Sequence, residues 1–324
     1  MAMLVPRPHH PDDDDRWDAF VERCPKGTLL HTRRFLGYHG ARFEDCSVWL
    51  ERDGKPVAIF PAARLDDRVV SHPGSTFGGP LIPKIGAAEE TFEVLSALGE
   101  LYRGAGARRL ELKLSPAHLS VQPDEPELSA LFRLGGTVER MDLWSVVSLD
   151  RDRKRKDRAS ANRAERLGVT VAVEDTPDAY AEMHALLSDT LRRRHGARPV
   201  HDLEALLDLR RRLGGAQSLW VARAPSGVAA AACWLLRHRE GVFHTQYLAA
   251  SEEGRELRAL DLVIERAIVH AQREGARTFS FGASTEEGGR TLNAPLHGFK
   301  SKWGGGAVVQ HHCAWTLTTP AEET

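Results

Sequence analysis

Cysteine is scarce, and the four that are present (Cys24, Cys46, Cys233 and Cys313) are scattered over 324 residues. No C-x-x-C pair occurs, which argues against a disulfide framework and a zinc site. Reduced, partly buried thiols are expected, as in a cytoplasmic protein. The pairs His9-His10 and His311-His312 lack further ligands at usable spacing, so no metal is expected. No run approaches the ~20 apolar residues of a membrane span. Met1 to His10 offers no stretch suited to a signal peptide. Neither sign of charge is in excess: the formal net charge is −1. That balance excludes a molecule built as a whole to grip DNA, and any basic surface must be local. Ser-His-Asp arrangements, Walker loops and Rossmann fingerprints are also missing.

What remains is ordinary globular composition, 42% apolar and 27% charged. The length suits two domains of about 150 residues. The chain also contains itself twice. Ser47-Val-Trp-Leu-Glu-Arg-Asp-Gly54 answers to Ser218-Leu-Trp-Val-Ala-Arg, which meets its own glycine at Gly227. Gly106-Ala-Arg-Arg-Leu-Glu-Leu112 answers to Gly275-Ala-Arg-Thr-Phe-Ser-Phe281. The two landmarks keep the same separation to within two residues. A duplicated domain follows, with halves at 1–150 and 151–324.

Periodicity fills in each half. Helices are expected over 13–23, 32–39, 88–104 and 126–135, then over 152–167, 177–194, 202–213 and 257–274. Asp53-Gly54 marks a hairpin between runs at 48–50 and 57–62. A matching hairpin joins 219–222 to 228–236, followed by a strand over 242–249. Strands and helices alternating at these lengths predict an α/β (α+β) fold in each half.

The copies part company after Phe281. The second continues Gly282-Ala-Ser-Thr285, then Gly289-Arg-Thr-Leu-Asn293, then Phe299-Lys300 and Trp303-Gly-Gly-Gly306. Polar, glycine-rich segments on a rigid scaffold often carry function. A plain surface loop leading into a short helix remains the alternative. This order resembles the C-terminal signature of the FemAB/FemX-type transferases, kin of the GNAT acyltransferases. Gly27-Thr-Leu-Leu-His-Thr32, Phe77-Gly-Gly-Pro80 and the basic segment Arg151 to Arg166 also resemble parts of that family.

The resemblance implies tandem GNAT-like domains, each a mixed, mostly antiparallel sheet flanked by helices. It implies an N-acyltransferase that forms an amide. The donor would be aminoacyl-tRNA, or alternatively acyl-CoA, with no tightly bound cofactor. The acceptor would be an amine of a cell-wall precursor or a small natural product. A non-catalytic binding protein on the same fold is the further alternative. Lys300 matches the position that holds the oxyanion or a substrate phosphate, and Asn293 stands beside it as a catalytic candidate. Phe299, Arg290, Ser284, Thr285, Tyr247, Arg193, His31, Phe77, Gly78 and Gly79 are candidates for substrate binding. Arg193 stands for the cluster Arg192-Arg-Arg-His195, since one arginine near there binds phosphate in the family. His244 and Tyr247 lie three apart on a strand and are expected on opposite faces.

The donor question turns on two segments. An acyl-CoA site wants Gln/Arg-x-x-Gly-x-Gly/Ala at a helix N-terminus. Here the place reads Ala250-Ser-Glu-Glu-Gly-Arg-Glu-Leu-Arg-Ala-Leu260, with large residues and three glutamates. The basic stripe Arg153, Lys154, Arg155, Lys156 and Arg158 is suited to tRNA phosphates, or is a solvated face. Both segments favour aminoacyl-tRNA.

Overall fold

The computed structural model describes residues 3–150 and 158–317. Two compact units emerge. The first comprises Met1–Leu143, Thr285–Leu292 and Val308–Thr324, and the second Trp144–Ser284 and Asn293–Ala307.

The first unit begins with β1 (Val5–Pro8), α1 (Asp14–Arg23) and α2 (Arg33–Leu36). Short strands follow: β2 (Glu44–Asp45), β3 (Val48–Arg52), β4 (Lys55–Phe60), β5 (Ala63–Leu65) and β6 (Arg68–Val70). Then come α3 (Ala88–Gly104), β7 (Arg109–Lys113), α4 (Pro126–Arg133) and β8 (Thr137–Ser148). Strands β1, β3 and β4 form one sheet. Alternation on β3 sends Val48 and Leu50 to one face and Trp49 to the other. Val48 and Leu50 join Val94, Leu95 and Leu98 of α3 in one core. Trp49 packs edge-on against Trp17 of α1, ring centres 5.3 Å apart. Burying each such side chain is worth about 1.5–3 kcal/mol.

The second unit contains α5 (Ala159–Arg166), β9 (Thr170–Val173), α6 (Pro177–His195), α7 (Leu203–Leu213), β10 (Gln217–Arg223), β11 (Ala229–Arg239) and β12 (Val242–Ala250). It continues with α8 (Glu252–Glu256), α9 (Ala259–Arg273) and β13 (Thr278–Ala283). After the small pair β14 (Thr285–Glu286) and β15 (Thr291–Leu292) come α10 (Ala294–Ser301) and β16 (Gly306–Thr316). The sheet runs β8-β13-β12-β11-β10-β9. Leu262, Val263, Ile264, Ala267 and Ile268 of α9 bury one face of it.

Each unit is completed by a strand from the other half of the sequence. In the first unit β16 pairs antiparallel with β7, Cys313 opposite Leu112. In the second, the end of β8 pairs antiparallel with β13, Val147 opposite Phe279. Neither β16 nor the full length of β8 was expected from periodicity.

The repeat is half right in detail. Gly106 follows α3 with φ +81° and Gly275 follows α9 with φ +71°, so both end their helices in the left-handed region that suits glycine. Both helices then lead into a strand parallel to its neighbour, β7 beside β6 and β13 beside β12. The tryptophan landmarks do not correspond in this way. Trp49 faces α1, whereas Trp220 packs on the α9 side, 5.2 Å from the ring of His270. A one-residue difference in register exchanges the faces of a strand. The helix expected over 257–274 also differs: Arg258, at φ +59°, separates α8 from α9. Among the described residues no helix is long and apolar enough to cross a membrane.

Candidate functional site

Strands β12 and β13 start as parallel neighbours and then separate. Their pairing ends at His244 opposite Ser280, although β12 runs on to Ala250 and β13 to Ala283. A cavity of about 590 Å³ lies at the C-terminal end of β12, with α6, α8, α9 and α10 around it. Leu187, Leu191, Leu248, Leu260, Leu296 and Phe299 supply its apolar wall. Arg255, Arg258, Lys300, Lys302 and Asp261 supply its charge.

Lys300 is buried and donates to two backbone carbonyls of β13, 3.2 Å to Gly282 O and a short bond to Ala283 O. An ammonium has three donors, so one is left for the cavity. Burial pulls its pKa down to about 8. The carbonyl of Gly282 is presented by a turn at φ +72°, where an added Cβ would also press on the His244 ring at 3.2 Å. Phe299 packs on the core of the second unit, with the Lys302 ammonium 4.4 Å over its ring. Asn293 caps α10, accepting from Leu296 N at 3.0 Å, and also lines the cavity. Asn293, Phe299 and Lys300 are therefore brought together, as candidates chosen from sequence.

The other candidates lie elsewhere. Ser284 is buried with no partner for its hydroxyl among the described residues, and its carbonyl accepts from Asn293 N at 2.9 Å. Thr285 belongs to the first unit, where it donates to Asp142 at 2.7 Å. Arg290 is exposed between β14 and β15. Arg193 is bound to Glu252 at 2.5 Å and to Asp189, tying α6 to α8 on the surface. Tyr247 donates to or accepts from His201 Nδ1 at 2.5 Å and stacks on Trp234. Tyr247 and His244 share one face of the sheet, contrary to the expectation from their spacing. A bulge puts Tyr247 opposite Trp234 but Thr245 opposite Leu235, and the extra residue restores the face.

His31, Phe77, Gly78 and Gly79 are buried in the first unit's own packing. His31 bonds Thr28 Oγ1 at 2.8 Å, lies 5.9 Å from Phe77, and is pushed down to about 4 by burial. At Gly78 a Cβ would stand 2.4 Å from Ser71 O, so only glycine fits. Of the basic stripe, Arg153, Lys154, Arg155 and Lys156 lie outside the described residues. Arg158 pairs with Glu265 at 3.2 Å.

Sequence reading overlooked Arg255, Arg258, Lys302 and Asp261. It weighed Glu252, Glu253 and Glu256 against an anion site. In the structure all three are exposed and none lines the cavity, while Arg255 and Arg258, three apart, do. Arg258 occupies a conformation that costs an L-residue about 1–2 kcal/mol. It falls at the first glycine position if Arg255-x-x-Arg258-x-Leu260 is laid on the acyl-CoA turn. The amides opening α9 and these guanidiniums together favour an anion.

The buried ionisable groups set a pH profile for stability. Lys300 and Lys113 are both held near 8 by burial, Lys113 with help from Arg140. Unfolding returns them to 10.5, so the unfolded chain binds more protons from about pH 8 upward and stability rises. Burial pushes the thiols of Cys46 and Cys313 up to about 12 and about 11, and that of Cys233 upward too. Once pH passes their unfolded value of 9, the folded chain binds more protons and stability falls. Urea midpoints should therefore climb from pH 8 to a maximum near 9 and then decline. A steady fall across pH 7.5 to 9 would contradict the lysine assignments.

Residues 151–289 match the acetyltransferase (GNAT) domain family. No curated protein matches the chain in sequence. Among solved structures, FemX superposes with a TM-score of 0.74 at 13% identity, covering 98% of this chain and 99% of its own. The L-PGS from Bacillus licheniformis gives 0.64 at 16%, covering 98% and 95%. A tandem GNAT protein from the clavulanic acid biosynthesis pathway gives 0.55 at 12%, covering 98% and 99%. At such identities the likeness is one of fold. The fold is shared with FemX and with the tandem GNAT protein, and residues 151–289 carry the match to the acetyltransferase (GNAT) domain family.

Proposed function

We propose that the protein forms an amide by moving an aminoacyl group from aminoacyl-tRNA to an amine of a cell-wall precursor or small natural product. The observation that carries this reading is the cavity at the C-terminal end of β12, with Lys300 in one wall, Arg255 on α8 and Arg258 at the start of α9. The acceptor nitrogen attacks the ester carbonyl, the new C–N bond forms, and the C–O bond to the ribose breaks. The free hydroxyl leaves with a proton that the amine gives up. Lys300 offers its remaining N–H to the oxygen that becomes negative on the way. Arg255, Arg258 and the first amides of α9 would hold a phosphate of the donor.

The family match at residues 151–289 supports a second reading, transfer from acyl-CoA. Arg258 weighs against it. Where an acyl-CoA turn uses glycine to let a diphosphate reach the backbone, this chain places a long cationic side chain. An aminoacyl-tRNA donor also places the reaction in the cytoplasm and gives the stripe from Arg153 to Arg158 a role on tRNA phosphates.

Incubation with a charged tRNA pool or with acetyl-CoA, against a panel of amines, separates the readings by the mass gained on the acceptor. An aminoacyl increment is expected, with transfer falling steeply between 50 and 200 mM salt, as phosphate contacts require. An acetyl increment from acetyl-CoA alone reverses the donor assignment.

A further inference from the structure

A carboxylate stands in a cavity whose other charged lining residues, among those described, are cations. Asp261, in the first turn of α9, is buried and lines the cavity beside Arg255, Arg258, Lys300 and Lys302. Its Oδ1 accepts from the Lys302 ammonium, which also lies over the Phe299 ring. Its Oδ2 accepts no hydrogen bond among the described residues and is left to face the cavity, although a carboxylate can accept on both oxygens.

We propose that Asp261 recognises the α-ammonium of the group being transferred. The inference rests on the aminoacyl-donor reading above and adds to it the residue that tells an aminoacyl group from a plain acyl group. The charges suit a dipolar ligand. A phosphate meets the guanidiniums of Arg255 and Arg258, and a cation meets Asp261, the one carboxylate among the described lining residues. A plain acyl group has nothing to give Asp261, whereas an ammonium supplies a donor to the oxygen that Lys302 leaves open to the cavity. The carboxylate also favours the protonated form of the donor's own amine. A protonated amine has no lone pair, so it does not compete with the acceptor nitrogen for the ester carbonyl. Lys302 has a different part: its ion pair with Asp261 links the end of α10 to the start of α9.

The test uses the full chain and one RNA carrier esterified with alanine, with lactate or with propionate. These groups are close in size, and only alanine carries the ammonium. The wild type is expected to favour alanine over propionate at least tenfold in kcat/KM. Asp261→Asn should bring that ratio close to one, chiefly by raising KM for the alanyl carrier, with the propionyl carrier little changed. Lys302→Met retains the carboxylate and should keep the preference even if its melting temperature falls. Equal losses on all three carriers in Asp261→Asn, matched by Lys302→Met, would mean that the ion pair is only a brace and would overturn the proposal. An equal wild-type rate on alanine and propionate overturns it as well, while leaving the carrier assignment standing. No transfer from any carrier, with transfer from acetyl-CoA, overturns the donor reading and this inference together.

Discussion

Replacing Lys300 by methionine is expected to lower kcat by about 100- to 1,000-fold, the usual cost of losing one donor to a developing oxyanion. The fold should survive. Methionine removes a buried charge, which favours the folded state, but it leaves Gly282 O and Ala283 O without their donor, which opposes it. Circular dichroism and a melting curve establish that the variant is folded, and single-turnover transfer reads the chemistry. The pH dependence adds a mark that a merely structural lysine would not leave. Lys300 is held near 8, so the wild-type rate should fall as pH rises through that value and the ammonium is lost. The variant's residual rate should lack this fall. Wild-type turnover in a folded Lys300→Met protein would remove Lys300 from the chemistry and favour a role in holding β13 alone.

The largest effect on stability is expected at Gly254. This glycine is buried in α8, where an added Cβ would stand 2.0 Å from Ala230 O and 2.8 Å from Ala230 C. Both obstacles are backbone of β11, an interior strand paired on both sides, so α8 must move instead. Overpacking a core commonly costs about 1–3 kcal/mol, and Gly254→Val should reach or exceed the top of that range. The displacement also carries Arg255 and Arg258 away from the cavity, so donor binding should weaken with stability. Gly298→Ala provides the contrast. It lies within α10 with nothing within 4 Å of the added methyl, and alanine is favoured over glycine there by up to about 1 kcal/mol. Chemical denaturation of the two variants should shift the midpoints in opposite directions. A neutral Gly254→Val would show that α8 is not seated on β11.

Much of the architecture was legible because it depends on local signals. The helices at 88–104 and 177–195 announce themselves by apolar spacing and terminal glycine. Gly106 and Gly275 are readable because the left-handed region favours the same residue in both copies. Register was less legible. Nothing local distinguishes a tryptophan that faces α1 from one that faces α9, and the bulge beside Tyr247 inverts a face by a single residue. The C-terminal strand β16 escaped because its pattern, with His311, His312 and Gln310 among apolar residues, alternates weakly. It becomes a strand by pairing with β7, far away in sequence.

The candidate site divides in the same way. Lys300 and Phe299 stood out through a motif. Arg258 did not, because a sequence gives no sign that an arginine will occupy a conformation suited to glycine. Asp261 looked like an ordinary acidic residue in the first turn of a helix, which is what the dipole prefers. Its meaning comes from the four cations that the fold gathers around the same space.

The crossed supply of strands also has a bearing on synthesis at the ribosome. The first unit needs β16 to cover β7, and β16 is made roughly 200 residues later. At about 5–20 residues per second, the edge of β7 waits for tens of seconds or a little less. The end of β8 waits in turn for β13. Both units thus finish together, near the end of translation, and the nascent chain exposes open strand edges until then. Such edges invite wrong partners. A chain with this plan gains more from chaperone cover during elongation than two domains laid end to end, the first of which could close while the second was still being made.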